Sequence, residues 1–410
     1  MANSYQVVDW VTKESLRILK NSLAVARTFN TDYGKDYKQA FAVGETIRVK
    51  LPQRFTIRDG LGYNAQAINR IYTTVACDQV FGVDFEMDSV EKALKAERGQ
   101  DAIRAEYILP AMNQISQEVD SRATLFAYQN TPNIVGVLGT NPTAMSTYNE
   151  ARAEMVRNAC PAGDKNMIIS PGMQVSISTA VSTVFNPTGV ISDTFRQGML
   201  GTGAGFQKWF ESMSLYSHTA GTWAGTVETD GAGQSGSSLL LTATTGDTFF
   251  KGDVFSIENV YNVNPVTRRS TGVLKRFVIT QATVAAASAA TINFYPPIYG
   301  PGSQYQNVNA LPANDADLTL FPGTSSPNGK AGINGLAIHR DAFALVAVPL
   351  EVPSAVEQSS IARDPETGIA IRYVKMFDPI QSRMVNRFDV LMGFGVLYAE
   401  NCAVRVLSST

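Results

Sequence analysis

Histidine and cysteine are scarce in this chain of 410 residues, which limits the chemistry available to it. The sequence has two histidines and three cysteines. A histidine-rich metal site or a histidine-based catalytic triad therefore has little to draw on. Cys77, Cys160 and Cys402 are odd in number and form no CxxC motif, which favours free thiols in a reducing compartment over a disulfide framework. We expect them to pack as small core residues.

Net charge and long apolar runs are also lacking. The 34 basic and 36 acidic side chains leave a formal charge of -2, so no overall excess of charge draws the chain to a nucleic-acid backbone or an anionic membrane. No run approaches the roughly 18 apolar residues of a membrane-spanning helix. The start MANSYQVVDW lacks the basic and apolar regions of a signal peptide. We expect a protein that is made soluble in the cytoplasm and does not enter a membrane.

The motifs of common enzyme classes are missing or broken. The cluster GMLGTGAGF at residues 198–206 places Phe206 where a dinucleotide-binding GxGxxG motif needs its third glycine, and no Lys-Ser/Thr pair follows for a phosphate loop. No GxSxG or HExxH motif occurs. His339 stands in an apolar segment beside Arg340 and Asp341, where we expect a structural role. The sequence predicts no catalytic residue, no cofactor-binding residue and no metal ligand.

The most regular pattern in the chain lies at residues 44–62. Apolar and basic residues alternate there with the period of two that is typical of a β-strand, and a second alternating run follows at residues 71–85 with acidic neighbours. The two runs predict a long two-stranded arm with opposite charges paired across the strands. An isolated hairpin is marginally stable, so the arm needs a surface to lie on, in its own domain or elsewhere. The first run contains the apolar residues Ile47, Val49, Leu51, Phe55 and Ile57 and the basic residues Arg48, Lys50, Arg54 and Arg58, and the second supplies Asp78, Asp84, Glu86 and Asp88.

Helical periodicity predicts three helices in the first third of the chain. An amphipathic helix is expected over residues 11–30, a short one over residues 89–99 and one long helix over residues 100–129. Pro110 should bend the long helix or mark a junction, because it removes one internal hydrogen bond and crowds the previous turn.

The composition changes in the second half of the chain. Residues 130–221 mix short strands with helices, whereas residues 223–330 are rich in Gly, Ser, Thr, Ala and Asn with short strand candidates between turns, which is typical of an all-β insert. Apolar strands resume after Gly335. The sequence therefore predicts an α+β fold that is interrupted by a β-rich domain and then resumed.

A set of stretches in a fixed order extends over nearly the whole chain: NSLAVARTFNTDY with VGETIRVKLPQRFTIRDG, YILPAMNQISQEVD, GFQKWFESMSLYSHTAGT, GLAIHRDAFALV and IRYVKMFDPIQSRMVNRFDVLMGFGVLY. In this order they resemble the coat-protein family typified by phage P22. The resemblance implies a major capsid protein of a tailed bacteriophage with the HK97 fold. The implied segments are an N-terminal arm with a helix (1–43), an E-loop β-hairpin (44–88), a P-domain with a spine helix (89–130), an A-domain (131–222), an inserted β-rich I-domain (223–330) and a return to the A- and P-domains (331–410).

The same resemblance implies a function and a set of partners. It implies that copies of the chain assemble into an icosahedral shell of hexamers and pentamers that encloses the genome, and that assembly takes place in the cytoplasm of the host bacterium. The implied partners are further copies of the chain, scaffolding and portal proteins, decoration proteins, and packaged double-stranded DNA held non-specifically on the interior. No cofactor is implied.

These expectations give the basic arm a physical role. A hairpin with too little core of its own becomes stable where it lies across a neighbouring subunit and its charges meet complementary side chains. We therefore predict that Arg48, Lys50, Arg54 and Arg58 contact another subunit. Two alternatives are a cytoplasmic α+β enzyme with a β insertion over its active site, and another phage structural protein such as a tail or decoration component.

Overall fold

The chain forms two compact units, each built from segments that are distant in sequence. The computed structural model describes residues 2–35, 46–51, 53–57, 60–62, 65–66, 68, 72–88, 107–182, 203–321, 331–352, 358–364, 368–378, 380 and 383–409. The predicted short helix, the first part of the predicted long helix and Arg58 lie outside the described residues. The first unit comprises Met1–Leu51, Tyr72–Ala123 and Phe343–Leu397, and the second comprises Pro52–Ile71, Thr124–Ala342 and Tyr398–Thr410.

A five-stranded antiparallel sheet forms the centre of the first unit. Its longest strand, Arg383–Val396, pairs with Gln79–Asp88 along one edge and with Ala370–Asp378 and Phe343–Val348 along the other. Gln358–Arg363 extends the sheet beyond Ala370–Asp378. The long strand is almost continuously apolar in its second half and is buried there, as expected for a strand that is covered on both faces.

The N-terminal helix of the first unit is Ala2–Ser22, which is displaced towards the N-terminus from the predicted residues 11–30. The carboxylate of Asp120 accepts hydrogen bonds from the backbone N–H groups of residues 24–26 at 2.8, 3.1 and 2.9 Å. These groups have no helical partner, so Asp120 holds the chain in the non-helical path that follows Ser22. A short 3-10 turn, Ala26–Thr28, and a one-turn helix, Asp32–Lys35, complete this segment.

The long helix is described from Leu109 to Asn130, 22 residues or about 33 Å. Pro110 is the second residue of this α-helix and follows two π-helical residues, 107–108, and the predicted bend or junction at this proline stays a prediction. Met112 and Val119 are buried, and their spacing of seven residues places them on one face of the helix. The ring of Tyr107, just before the helix, stacks on Phe85 with 5.9 Å between centroids.

The second unit contains a mixed sheet packed against two helices. Its strand order is Ile134–Val135, Ala403–Leu407, Ala331–His339, Lys165–Ile169 and Lys208–Glu211, with parallel pairing at the two outer positions and antiparallel pairing in the middle. The helices Met145–Arg157 and Pro171–Ser182 bury apolar residues against this sheet. Alternating helices and strands of this kind agree with the mixed character predicted for residues 130–221.

The insert in the second unit is a six-stranded β-barrel with its own core. Thr229 donates its N–H to Ala316 O at 3.0 Å and Leu318 donates to Val227 O at 2.8 Å, so the first strand of the sheet meets the last and no long edge stays open. The rings of Phe255, Phe277 and Phe294 meet at its centre, with centroids 5.2 to 5.8 Å apart. The strands follow the order Leu318–Phe321, Val254–Val263, Ser270–Ile279, Ala289–Ile298, Gly236–Thr242 and Glu228–Thr229, and Thr248–Phe249 pairs with Thr283–Val284 beside them.

The chain enters and leaves the insert at one place on the mixed sheet. The short strand Ser217–Thr219 pairs antiparallel with Ala331–His339, and Thr219 lies directly opposite Ala331. The described elements confirm the predicted α+β class with an all-β insert, whereas the exact segment boundaries remain predictions. Among the described residues, no helix is long and apolar enough to cross a membrane.

Candidate functional site: the E-loop arm

The base of the predicted arm is a two-stranded ribbon. Thr46–Lys50 pairs antiparallel with Tyr72–Ala76 in a continuous register from Thr46 opposite Ala76 to Lys50 opposite Tyr72. Ile47 and Val49 are buried while Arg48 and Lys50 are exposed, so the alternation in the sequence separates an inner face from an outer face.

The inner face of the ribbon is seated on the first unit. Val75 is fully buried beside Gly395, where an added Cβ would lie 2.2 Å from Val75 Cγ2. At Gly393 an added Cβ would lie 2.1 Å from the backbone oxygen of Ala76. The two glycines of the GFG sequence in the long strand therefore leave the space that the ribbon occupies. The base of the arm packs against its own chain.

The tip of the arm has a different character, because its large apolar side chains are exposed. Phe55, Ile57, Leu61 and Ile68 are 62, 95, 99 and 69% exposed. The side-chain amide of Gln66 braces the loop, since it donates to Thr56 O at 2.6 Å and its oxygen accepts from Thr56 N at 2.7 Å. Several large exposed apolar residues within one short segment are typical of an interaction surface.

Arg54 connects the tip to other residues of the second unit. Its guanidinium lies 3.1 Å from Glu400 Oε1, its backbone oxygen accepts from Gln304 Nε2 at 2.7 Å, and the guanidinium carbon is 6.0 Å from the centroid of Tyr305. The sequence placed this arginine in a contact between subunits. The structure gives it partners within its own chain that fix the position of the loop.

Glu400 in turn lies between Arg54 and a second, more deeply buried cation, Lys275. Lys275 Nζ is 3.7 Å from Glu400 Oε2 and 3.1 Å from Asn262 Oδ1. Burial lowers the pKa of Lys275, with the carboxylate of Glu400 acting against that shift. Burial also opposes the ionisation of Glu400, but Lys275 and Arg54 outweigh it and hold the pKa of Glu400 below its ordinary value. The opposite charges of the cluster thus act against the effect of burial on each group.

Three of the four predicted site residues are described by the structure. Arg48 and Lys50 point outward from the ribbon, and neither makes an ion pair with another residue in the described part of the chain. Arg54 is paired with Glu400, and Arg58 lies outside the described residues.

The predicted pairing of charges across the arm is wrong. Gln79–Asp88 does not continue the ribbon but joins the five-stranded sheet, where Glu86 pairs with Arg383 at 2.7 Å and Asp84 faces Arg387 at 3.7 Å.

The two histidines occupy separate surroundings. His218 Nε2 lies 2.7 Å from Asp253 Oδ1, and the buried carboxylate of Asp253 also accepts from Phe250 N at 2.7 Å and Gly221 N at 3.2 Å. This network orders the start of the insert. His339 is buried at the end of a strand, and its Nδ1 accepts the backbone N–H of Asp341 at 3.2 Å.

Sequence reasoning missed a cluster that includes His339. One potential ligand atom from each of Cys160, His339 and Cys402 lies within 4.8 Å of the others. A hydrogen bond from Cys402 lowers the pKa of the Cys160 thiol, with the ammonium of Lys165 acting in the same direction, and the pKa of Cys402 is raised. These residues are far apart in sequence, so no spacing motif signals them. Cys160, His339 and Cys402 come together only because the elements that carry them lie side by side in the fold.

Several solved structures are similar in part or along most of this chain. A comparison with curated proteins finds no match. Among solved structures, one from Mycobacterium phage Che8 shares 12% identity over 94% of this chain and 90% of that chain, with a TM-score of 0.46. The capsid structure of the cyanophage P-SCSP1u shares 11% identity over 91% and 85%, with a TM-score of 0.43. The CUS-3 coat protein I-domain is 21% identical and covers 23% of this chain and 95% of that chain, with a TM-score of 0.19.

The family comparison covers almost every residue. The sequence model of the P22 coat protein, gene protein 5, matches residues 1–406. This match includes the arm, the long helix and the insert, and it confirms the resemblance carried by the ordered sequence stretches. It also favours a structural role over the alternative of an enzyme. The chain belongs to the P22 coat protein family and is therefore a bacteriophage major capsid protein with the HK97-like fold of that family.

Proposed function

We propose that copies of this chain build a closed icosahedral shell of hexamers and pentamers, and that the tip of the E-loop arm lies on a neighbouring copy. One observation carries the second part of the proposal: the tip exposes Phe55, Ile57, Leu61 and Ile68 together. Burying one large apolar side chain is worth about 1.5 to 3 kcal/mol. Ile57 and Leu61 alone would then contribute about 3 to 6 kcal/mol per contact, before the cost of ordering the partners.

The outward charges of the ribbon support the same contact. Arg48 and Lys50 are exposed beside the arm tip in sequence and make no ion pair within the described residues. Charges at the rim of an interface contribute mainly to association rate and specificity, and salt screens them. We propose that these two residues face acidic groups of the neighbouring copy, while Arg54 acts by fixing the loop through Glu400.

The remaining partners follow from the family alone. We propose that scaffolding and portal proteins take part in assembly in the host cytoplasm, that decoration proteins bind the outside, and that packaged double-stranded DNA lies inside without sequence-specific contacts. With a formal charge of -2, the chain has no overall attraction for DNA, so any contact requires local basic patches.

The apolar contact is tested by Ile57→Ser with Ile380→Ser as the matched control. The two isoleucines are 95 and 92% exposed, so neither substitution removes core packing. We expect Ile57→Ser to leave a folded monomer, measured by circular dichroism and thermal unfolding, that forms fewer closed shells in sedimentation and negative-stain images. Assembly of Ile57→Ser at the wild-type rate and yield would contradict the role of the tip.

The charge contact is tested by the double variant Arg48→Ser, Lys50→Ser, with the exposed Lys208→Ser as control. We expect the double variant to assemble more slowly than the wild type at low salt and to show a weaker dependence on salt, because fewer charges are attracted across the interface. Identical salt dependence in the variant and the wild type would remove these two residues from the contact.

A further inference from the structure

Three elements of the second unit end beside one another and bring two sulfurs and an imidazole together. Cys160 follows the helix Met145–Arg157, His339 ends the strand Ala331–His339, and Cys402 ends the short helix Ala399–Cys402. The turn at Cys160 is fixed by the bond from its N–H to Met155 O at 2.9 Å. The positions of all three side chains are therefore set by regular structure and its hydrogen bonds.

We propose that Cys160, His339 and Cys402 bind one soft divalent cation of the Zn²⁺ type. Their potential ligand atoms lie within 4.8 Å of one another. Tetrahedral Zn²⁺ with bonds of about 2.3 Å to sulfur and about 2.0 Å to nitrogen requires ligand atoms about 3.5 to 3.8 Å apart. Small rotations of the side chains close that difference. Thiolate and imidazole are also the ligands that select Zn²⁺ over Mg²⁺ or Ca²⁺.

The charge of the surroundings is compatible with a bound ion. The side chain of Lys165 is buried, and Lys165 is the register partner of His339 on the neighbouring strand. Two thiolates and one divalent cation are neutral together, so the bound ion adds no net charge beside that ammonium. Binding releases one proton from each thiol to solvent, as deprotonated ligands require.

The fourth position has a candidate occupant in Asp341. Its carboxylate Oδ2 is 3.7 Å from His339 Nδ1, and the Asp341 side chain is 45% exposed. Asp341 can serve either as a ligand or as the outer carboxylate of an imidazole that binds through Nε2; in the second case Nδ1 carries the proton and donates to the carboxylate instead of accepting the Asp341 N–H. Cys160 is only half-buried, so this side of the site is open to water. Cys402 and His339 form the buried side.

Co²⁺ titration of the full-length wild-type chain, kept reduced with a phosphine, tests the proposal. We expect one equivalent of Co²⁺ to give a thiolate-to-metal charge-transfer band and the visible bands of tetrahedral Co²⁺, and Zn²⁺ to displace it. Cys160→Ser and Cys402→Ser should each abolish or strongly weaken the charge-transfer band. Asp341→Ala should retain the band but lower the Zn²⁺ affinity about ten- to a hundredfold.

The third cysteine provides the control. Cys77 is buried in the first unit, so Cys77→Ser should keep the full Co²⁺ signal. If a serine variant fails to fold, the wild type alone is sufficient: Zn²⁺ should protect Cys160 from alkylation, measured by mass spectrometry of the native protein with and without the ion. Absence of the charge-transfer band in the wild type, persistence of the band in the Cys160→Ser, Cys402→Ser double variant, or equal alkylation of Cys160 with and without Zn²⁺ would overturn the proposal.

Discussion

The close packing of the base of the arm against Gly395 leads to a specific prediction about protein stability. Gly395→Ala places a Cβ 2.2 Å from Cγ2 of the fully buried Val75, and overpacking of this kind costs about 1 to 3 kcal/mol. Val75→Ala removes two buried methyl groups, about 1.6 kcal/mol, together with a cavity. In the double variant, the new methyl group enters the space that Val75 leaves, because the nearest remaining atom that it would meet on residue 75 is Cβ at 3.3 Å.

The free energy of unfolding that the double variant loses should therefore be smaller than the sum of the losses in the two single variants. The difference, the coupling energy, should be about 1 to 3 kcal/mol. Urea unfolding of the purified monomers measures this coupling, provided that the slope with denaturant stays constant. Gly393→Ala is the control, since its Cβ would meet the backbone oxygen of Ala76 at 2.1 Å and Val75→Ala cannot relieve that contact. The proposed packing would be refuted if the losses of Gly395→Ala and Val75→Ala were additive. It would also be refuted if Val75→Ala compensated Gly393→Ala as well as it compensates Gly395→Ala.

Three further predictions concern polar contacts. Asp120→Ala should lower the free energy of unfolding in urea by about 3 kcal/mol, because three backbone N–H groups lose their acceptor at about 1 kcal/mol or more each; a loss below 1 kcal/mol would contradict this. Glu400→Gln should cost about 3 kcal/mol, because it leaves Lys275 buried without its carboxylate. The folded-state pKa of Glu400 lies below its ordinary 4.5, so its contribution is present above that pH and is lost as the pH falls; the thermal midpoint of the variant should therefore fall less steeply in acid than that of the wild type. Glu86→Gln should change the thermal midpoint little, because its ion pair with Arg383 is half-exposed and worth less than about 1 kcal/mol.

Local patterns predicted the elements well where a single periodicity decided the structure. The alternation at Ile47 and Val49 gives a strand with one buried face, and the turn-rich composition of the insert gives a β-barrel. These predictions succeed because an apolar face has to be buried whatever covers it.

The pairing of strands could not be predicted from local patterns in the sequence. The runs Tyr72–Ala76 and Gln79–Asp88 have the same alternation and are separated by two residues, yet they join different sheets. Asp84 and Glu86 match the basic residues of the arm in charge, but they pair with Arg387 and Arg383 far along the chain. An alternation with period two shows which face of a strand is buried, but it does not show which strand pairs with it. A surface ion pair is too weak to select the partner strand.

The candidate site was predicted in part. The arm and its apolar residues Phe55 and Ile57 are visible in the sequence, but their exposure at the tip depends on where the supporting strands end. Arg54 reads as one member of a basic row, and only the fold shows that Glu400 faces it. A contact between residues that are hundreds of positions apart leaves no local trace, and the same holds for the cluster around His339.

The pairing of Thr219 with Ala331 has a consequence for how this chain acquired its architecture. Directly opposed residues of an antiparallel pair lie about 5 Å apart, which is the separation that an ordinary two-residue turn connects. The whole barrel therefore stands where a hairpin loop would suffice, and its gain or loss leaves the register of the supporting strands unchanged. The barrel is nevertheless tied to residues outside the insert through Lys275 with Glu400 and Gln304 with Arg54, so these contacts have to be kept or changed together while the remainder of the barrel is free to vary.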